Sequence, residues 1–264
     1  MPSSFKVLLL GGRGNIGSGL RKYLPQLDAR YRFVCVDLPG ARNRAPAGVE
    51  EEFVDLDFFA HPEAFRDLLP GIDLVVYLAR HGGLKEMNQM TDLVYESVLA
   101  RDPAPMIIGS SSVHAVDAAY LFYERDPYPL LAQRRFAELG PTWPILPATL
   151  PACPVSHYGD EKAYVEAWTH RLALQGKAAV AARWGGINAE NQMHSEVAYF
   201  SVWCHQEDAA RFVHACFSTH QQGRLKSGAH YFVISNNTYN IFDLETPRRE
   251  VGYEPIHNAE VFYQ

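Results

Sequence analysis

The segment FKVLLLGGRGNIG, residues 5–17, decides the fold of this chain. Its apolar run, Phe5 to Leu10, is typical of a strand that is buried on both faces of a parallel sheet. Gly11, Gly14 and Gly17 follow at the spacing G-x-x-G-x-x-G, and a helical pattern begins at once. In that setting the glycines permit a tight turn, a close approach of the backbone to a pyrophosphate, and tight packing of helix on strand. The segment therefore predicts a dinucleotide site at a helix N-terminus, where backbone amides face the phosphates.

Strand-like and helix-like segments alternate along most of the remaining chain. Further strands are predicted at residues 31–37, 52–55, 72–78, 105–109, 178–184 and 230–235, and helices at 17–24, 62–69, 88–100, 161–175 and 207–217. Such alternation implies a parallel sheet with helices on both faces. The predicted fold class is α/β, a Rossmann-type doubly wound parallel sheet with a small C-terminal substrate-binding lobe. We expect a single domain over 1–264, with the dinucleotide-binding core at 1–183 and the lobe and closing elements at 184–264.

Residues at about 117–154 interrupt that alternation. Seven prolines lie between positions 127 and 154 beside several aromatic residues, and the stretch predicts one short helix at about 130–138. Long irregular segments in compact domains are often lids or binding loops. A lid and an ordinary surface insertion are both consistent with this composition.

Composition argues against several classes of partner. The chain has 264 residues and a formal net charge of −6, which argues against a nucleic-acid partner and a polybasic membrane surface. No apolar run reaches the ~18 residues that are needed to span a bilayer. The four cysteines are scattered without the spacing of metal ligands. We therefore expect free thiols, a reducing cytoplasm and no metal site.

The second predicted strand ends at Asp37, twenty residues after the last glycine of the motif. A carboxylate there accepts hydrogen bonds from the adenosine ribose and repels a 2′-phosphate, which favours NAD as the cofactor. NADP is the alternative, because Arg13, Arg42 and Arg44 can meet a 2′-phosphate if the loop folds back. Asp55 is expected near the adenine edge or at the cap of a helix, two roles of nearly equal weight.

Tyr158 and Lys162 lie four residues apart in the segment PVSHYGDEK. On a helix, positions i and i+4 share one face. A phenol has an ordinary pKa near ~10, and a fixed ammonium beside it favours the phenolate. The pair is therefore predicted to transfer protons, with Lys162 lowering the pKa of Tyr158. Such pairs are also common on solvated helix faces, so the prediction depends on the glycine motif and on the serine cluster at 110–112, expected after the fifth strand.

Together these motifs resemble the short-chain dehydrogenase/reductase superfamily in its extended branch, the NAD-dependent epimerase/dehydratase family, and the likeness covers nearly the whole chain. The tail, including Val251 to Pro255, is similar to that of uronate dehydrogenases. The resemblance implies a catalytic set of Ser112, Tyr158 and Lys162. It implies a substrate site formed by Ser112, Val113, His114 and Tyr158. It implies a cofactor site formed by Gly11, Gly14, Asn15, Ile16, Gly17, Asp37, Asp55, Leu56, Leu78, Ala79, Arg80, Tyr158 and Lys162.

The resemblance also implies a function: hydride transfer between NAD and a hydroxyl or carbonyl carbon of a small sugar-like substrate, with Tyr158 as the acid/base. An epimerase or dehydratase with tightly bound NAD, and a non-catalytic NAD(P)-sensing protein, are the alternatives. A homodimer is expected from the family. Uronate dehydrogenases place an arginine for the substrate carboxylate just before the tryptophan that corresponds to Trp203, whereas residues 194–200 contain no arginine. This departure puts the uronate itself in doubt, so the implied substrate is sugar-like in general.

Overall fold

A seven-stranded parallel sheet organises the computed structural model, which describes residues 4–41, 51–120 and 127–264. The strand order is β3-β2-β1-β4-β5-β6-β7. The strands are β1 Phe5–Leu10, β2 Tyr31–Asp37, β3 Glu51–Asp55, β4 Leu74–Tyr77, β5 Met106–Ser112, β6 Ala179–Trp184 and β7 His230–Val233. The order changes direction at β1 and β4, the switch point where open α/β sheets bind ligands. The predicted doubly wound parallel α/β fold is confirmed.

Helices cover both faces of this sheet. In the described part of the chain they are α1 Asn15–Leu27, α2 Pro62–Arg66, α3 Leu84–Leu99, α4 Asp117–Tyr120, α5 Tyr128–Ala132, α6 His157–Leu174, α7 Tyr199–Val202, α8 Gln206–Gln221 and α9 Glu245–Val251. Short 3₁₀ turns occupy Val113–Val116, Phe136–Glu138 and Ala259–Tyr263. None of the described helices combines the length and the apolar character that crossing a membrane requires.

Strand β1 shows why the sheet is covered on both sides. Successive side chains of a strand point to opposite faces. Val7 and Leu9 belong to a core that includes residues of α1 and α8, whereas Leu8 and Leu10 belong to a core that includes residues of α3 and α6. All four side chains are fully buried. The continuous apolar run of the sequence therefore reflects two cores rather than one.

Several helices differ from the sequence prediction; α3 and α6, for example, each begin four residues earlier than predicted. Helix α1 runs through Pro25, where its end was predicted. The ring removes only one backbone donor near the end of the helix, and the N–H of Asp28 closes the last turn on the carbonyl of Leu24 at 2.9 Å. Helix α9 was not predicted; it is only seven residues long and carries a proline in its first turn.

The serine cluster is also placed differently. Ser110, Ser111 and Ser112 are the last three residues of β5, not residues that follow the strand. All three are buried, because the carboxyl end of β5 is covered. Ser111 donates to the carboxylate of Glu166 at 2.6 Å, and the buried Arg183 donates to the same carboxylate. Ser110 and Ser112 line a cavity wall, and Ser112, at the end of the strand, lines two.

The irregular insertion is fastened to the C-terminal part of the chain. Arg134 makes two hydrogen bonds to Glu260, at 3.0 and 2.8 Å, and the ring of Phe136 stacks on Tyr239 with centroids 3.4 Å apart. The single helix expected at about 130–138 is split into α5 and a 3₁₀ turn, and Arg134 between them has a φ of 58°. Residues 121–126 of the insertion lie outside the described residues, as do Arg42 and Arg44.

Candidate active site

The three motif glycines form a turn between β1 and α1 in which each has a different environment. Gly11 has a φ of +84°, and a Cβ there would lie 2.9 Å from the backbone nitrogen of Ala79. A Cβ on Gly17 would lie 2.6 Å from the carbonyl oxygen of Gly12, so this position permits close packing inside the turn. A Cβ on Gly14 would meet only the Gly11 carbonyl oxygen, at 3.3 Å. Gly14 thus faces open space at the N-terminus of α1, where a phosphate can approach the backbone.

A cavity of about 610 Å³ opens beside this turn at the carboxyl ends of β1, β2 and β4. Its wall includes eight of the predicted cofactor residues, namely Gly11, Gly14, Asn15, Asp37, Leu56, Leu78, Ala79 and Arg80. Asp37 accepts hydrogen bonds from the backbone N–H groups of Arg13 and Leu38, at 2.9 and 3.0 Å, which fix its carboxylate at the cavity edge. The sequence reasoning missed Asp57, Phe58 and Phe59, which also line the cavity. They follow β3 in a segment with no distinctive motif.

Asp55 does not line this cavity. Its carboxylate pairs with the guanidinium of Arg13 at 2.6 Å. The same arginine was one of three that supported NADP as an alternative cofactor. Because its charge is balanced by Asp55, Arg13 is a weak candidate for binding a 2′-phosphate.

A groove of about 250 Å³ continues from the turn towards the end of β5. Gly11, Gly14, Asn15 and Leu78 line both this groove and the larger cavity. Ile16, Gly17, Ser112 and Tyr158 line the groove as well. A third cavity, of about 420 Å³, lies beyond it and shares Ser112 and Tyr158 with the groove. The three cavities therefore form a series that leads from Asp37 to the far side of Tyr158.

Helix α6 begins just before Tyr158 because Ser156 caps it. The Ser156 hydroxyl accepts a hydrogen bond from the Gly159 N–H at 3.0 Å and donates to Asp117 at 2.8 Å. Tyr158 and Lys162 both lie on this helix, because it begins four residues before the predicted start at 161. The Lys162 Nζ atom is 5.1 Å from the centroid of the tyrosine ring. Lys162 is buried and lines none of the three cavities.

A buried carboxylate that the motif does not include controls the charges around Tyr158. Glu161 is buried, pairs with Arg80 at 2.7 Å between Oε1 and Nε, and lies 3.4 Å from the Lys162 Nζ atom. The Arg80 guanidinium lies over the Tyr158 ring, 4.8 Å from its centroid. The pKa of Lys162 is lowered, mainly because burial disfavours its charged form, while Glu161 acts in the opposite direction.

In the chain without cofactor, Lys162 is not among the main groups that shift the pKa of Tyr158, and the role expected of it stays a prediction. Burial raises the pKa of the phenol above its ordinary value, and the charge of Glu161 adds to the rise. A hydrogen bond with Ser112 and the charge of Arg80 act in the opposite direction but do not outweigh burial. Of the two neighbouring cations, Arg80 is the one whose charge is among the main influences that lower this pKa.

Ser112 ends β5 with its hydroxyl turned to the junction of the groove and the third cavity. Its Oγ atom accepts a hydrogen bond from the His114 N–H at 3.2 Å and lies 3.4 Å from the carbonyl oxygen of Trp184. Val113 and His114 line the third cavity with Ser112 and Tyr158, so all four residues of the predicted substrate site meet there. The ring of His114 meets that of Tyr158 edge to face, with centroids 5.4 Å apart.

The opposite wall of the third cavity comes from residues outside the predicted site set, some of them in the arginine-free segment 194–200. Gly185 and Gly186 follow β6, and the segment Glu196 to Tyr199 leads into α7. The insertion residues from 127 to 154, for which a lid and a surface insertion were both open, do not line this cavity. Their contact with it is indirect, because Phe136 packs edge to face on Phe200, next to the lining residue Tyr199.

One group of potential metal ligands exists in the described residues. His205, Glu207 and His257 bring ligand atoms within 4.8 Å of one another, outside the three cavities. His205 Nδ1 accepts the N–H of Glu207 at 3.0 Å and so caps α8, and His257 Nε2 lies 3.1 Å from Glu207 Oε2. These contacts explain the group as the cap of a helix. The absence of a metal site stays a prediction.

Comparison with solved structures supports the fold. The chain is similar to glucuronic acid dehydrogenase from Chromohalobacter salexigens, with a TM-score of 0.73 and 18% identity over 98% of this chain and 87% of that one. It is similar to uronate dehydrogenase from Agrobacterium tumefaciens, with a TM-score of 0.71 and 21% identity over 98% and 87%. It is also similar to a dTDP-glucose 4,6-dehydratase from Bacillus anthracis in complex with NAD, with a TM-score of 0.69 and 15% identity over 97% and 93%. No protein-family model and no curated protein matches the sequence.

These likenesses define a class of fold. The chain has a Rossmann-type α/β fold, with a glycine turn between the first two of three neighbouring cavities and Tyr158 between the second and the third. Within that class its fold is the one seen in the uronate dehydrogenase, dTDP-glucose 4,6-dehydratase and UDP-galactose 4-epimerase structures that it resembles. The predicted fold is confirmed.

Proposed function

We propose that this chain is an NAD-dependent oxidoreductase that moves a hydride to or from a hydroxyl or carbonyl carbon of a small sugar-like substrate. One observation carries the proposal: Ser112 and Tyr158 stand in the wall between the dinucleotide groove and the third cavity. A substrate oxygen bound there meets a hydroxyl and a phenol beside the path that a cofactor would follow. The similar uronate dehydrogenase and dehydratase structures, some of them complexes with NAD, support the same activity.

The residues present fit NAD. Because Gly14 has no Cβ, the space at the N-terminus of α1 stays open. The Asp37 carboxylate is held at the edge of the larger cavity. The backbone of the glycine turn would hold the pyrophosphate, and Asp37 would accept hydrogen bonds from the adenosine ribose. When bound, NAD supplies the carbon that accepts or gives the hydride.

Tyr158 would exchange the proton of the reacting oxygen, while Ser112 would donate a hydrogen bond to that oxygen and orient it. Burial keeps the pKa of Tyr158 above its ordinary value, so the phenol is protonated at neutral pH in the chain without cofactor. That state suits protonation of a substrate carbonyl, which is the reductive direction. Oxidation needs the phenolate, and the Arg80 guanidinium over the ring stabilises it.

Two further proposals concern the setting of the enzyme. The resemblance to the extended branch supports a homodimer, which light scattering on the eluted protein tests. The four cysteines are free in the structure, and this supports a reducing compartment such as the cytoplasm. Cell fractionation tests that assignment.

The variant Tyr158→Phe tests the central proposal. We expect turnover of a sugar panel to fall by roughly 10²–10⁴-fold, the range for loss of a general acid/base, while NAD binding measured by calorimetry stays unchanged. Tyr164→Phe is the matched control, because Tyr164 lies on the same helix but its hydroxyl bonds Asp92 away from the three cavities. Near-normal turnover in Tyr158→Phe would refute the proposal. Conversion of substrate with co-purified NAD and no net reduction would assign the chain to the epimerases or dehydratases instead.

A further inference from the structure

The cavity beyond Tyr158 is acidic. Two of its lining residues, Asp117 and Glu196, carry carboxylates, and His114 is its only titratable base. No lysine or arginine lies among the described residues that form this wall. An ordinary binding site for a carboxylate or phosphate has the opposite composition, because such groups are bound by arginine or lysine donors.

His114 does not offset this charge. Its Nδ1 atom lies 2.8 Å from an oxygen of Asp117, so any positive charge on the ring is matched within that pair. The other oxygen of Asp117 accepts the Ser156 hydroxyl at 2.8 Å. Glu196 is exposed at the cavity wall, and no cation in residues 4–41, 51–120 and 127–264 pairs with it. The third cavity therefore has an uncompensated negative charge.

The cations nearest to Tyr158 are committed to another carboxylate. Arg80 pairs with Glu161 at 2.7 Å and lines the larger cavity on the cofactor side, not the third cavity. Lys162 is buried and lies 3.4 Å from the same Glu161. Neither side chain lines the cavity that would hold the substrate, so neither supplies the missing positive charge.

The carboxylates of this cavity favour binding of some sugar-like molecules over others. A sugar acid would bring its carboxylate near Glu196 and Asp117 without a cationic partner, which is unfavourable in a cavity partly closed to water. Sugar hydroxyls, in contrast, donate hydrogen bonds to carboxylates, and an ammonium group gains from them. We infer that the substrate is a monosaccharide or polyol without an anionic group, neutral or amino-bearing, and not a sugar acid. The inference rests on the proposed function and names the substrate class of the same site.

Matched pairs of sugars test the inference with the full chain and NAD. Glucose and glucuronate differ only at C6, as do galactose and galacturonate, and glucosamine adds an ammonium group. Calorimetry on the protein with saturating NADH measures binding of each sugar, and NADH formation with NAD measures oxidation. We expect the neutral or amino sugar of a pair to bind at least roughly tenfold more tightly than the acid. The free energy of a tenfold difference lies between the interaction energies of two charges at contact distance in bulk water and near a protein surface.

Charge variants connect the preference to the cavity. Glu196→Gln is expected to shrink the preference for the neutral sugar, and Glu196→Arg is expected to reverse it in favour of the acid. Glu190→Gln is the matched control, because Glu190 is exposed on the same loop and lines none of the three cavities. Tighter binding of the acid by the unmodified chain, or binding of no neutral or amino sugar, would overturn the inference. Neither result would contradict the proposed hydride transfer. That proposal stands if NAD binds and if Tyr158→Phe abolishes turnover of the compound that the chain oxidises.

Discussion

Glu161 holds the guanidinium of Arg80 by a 2.7 Å contact between Oε1 and Nε, although 81 residues separate the two in sequence. The carboxylate is only 2% exposed, whereas about half of the arginine side chain faces solvent. The pair keeps the guanidinium over the ring of Tyr158. The protonation of the proposed acid/base is therefore coupled to a contact between the end of β4 and the first turns of α6.

Replacing Arg80 by glutamine tests one side of this coupling. Because the charge of Arg80 lowers the pKa of Tyr158, its removal should raise that pKa. Oxidation needs the phenolate, so the limb on which the oxidation rate rises with pH should move to higher pH. Profiles of kcat/KM against pH measure the shift, and Arg80→Lys, which keeps a positive charge, should shift less. An unmoved profile in Arg80→Gln would mean that the guanidinium does not act on the phenol.

The opposite shift is expected when Glu161 is replaced by glutamine. The Glu161 charge raises the pKa of Tyr158, so its removal should move the oxidation limb to lower pH. The change also leaves Lys162 buried without its neighbouring carboxylate. Breaking a fully buried pair costs about 3–5 kcal/mol, and exposure of Arg80 reduces this to about 1–3 kcal/mol in the free energy of unfolding. Urea denaturation measures that loss.

Asp160→Asn serves as the control for this variant. Asp160 is exposed at the neighbouring position of the same helix, so its removal should change neither the pH profile nor stability appreciably. A shift of the Glu161→Gln profile to higher pH would contradict the arrangement of charges described here.

The parts of this molecule that sequence predicted are those in which one short segment carries the whole signal. The strand β1 with Gly11 to Gly17 is such a segment, because burial and turn geometry are both local. Tyr158 and Lys162 likewise lie within one helical turn. The ion pair of Arg80 and Glu161 was not predictable, because two distant segments form it and neither has a distinctive spacing.

The same reason explains the wall of the third cavity. Glu196, Val197 and Ala198 precede the short helix α7 in a segment without hydrophobic periodicity, so their pattern does not show which way they face. The insertion is a different case. Its prolines and aromatic residues were consistent with a lid or with a surface insertion, and composition does not reveal contacts such as that of Arg134 with Glu260, which fastens it to the C-terminal segment.

A buried ion pair beneath the site should contribute more to stability than any surface pair. Glu166 and Arg183 are both buried and joined by contacts of 2.7 and 2.9 Å, and Arg183 also donates to the carbonyl oxygen of Leu150 at 2.8 Å. Glu166→Gln should lower the free energy of unfolding by about 3–5 kcal/mol, because it leaves a buried guanidinium unpaired. Glu63→Gln, which breaks the exposed pair with Arg66, should cost no more than about 1 kcal/mol. Equal losses in urea denaturation would contradict a structural role for the buried pair.

The motif glycines should separate cofactor binding from folding. A Cβ at position 14 would meet only one carbonyl oxygen, at 3.3 Å, and the backbone conformation there is an ordinary one, so Gly14→Ala should fold normally. It should bind NAD more weakly, because the methyl group narrows the space through which the pyrophosphate approaches the backbone. Gly17→Ala places a methyl group 2.6 Å from the Gly12 carbonyl oxygen, so it should lose both stability and binding. Gly140→Ala, exposed in the insertion with its nearest neighbour 3.8 Å away, is the control. Calorimetry gives the NAD affinity, expected to fall at least about tenfold, or 1.4 kcal/mol, in Gly14→Ala. Unchanged affinity in that variant would place the pyrophosphate elsewhere.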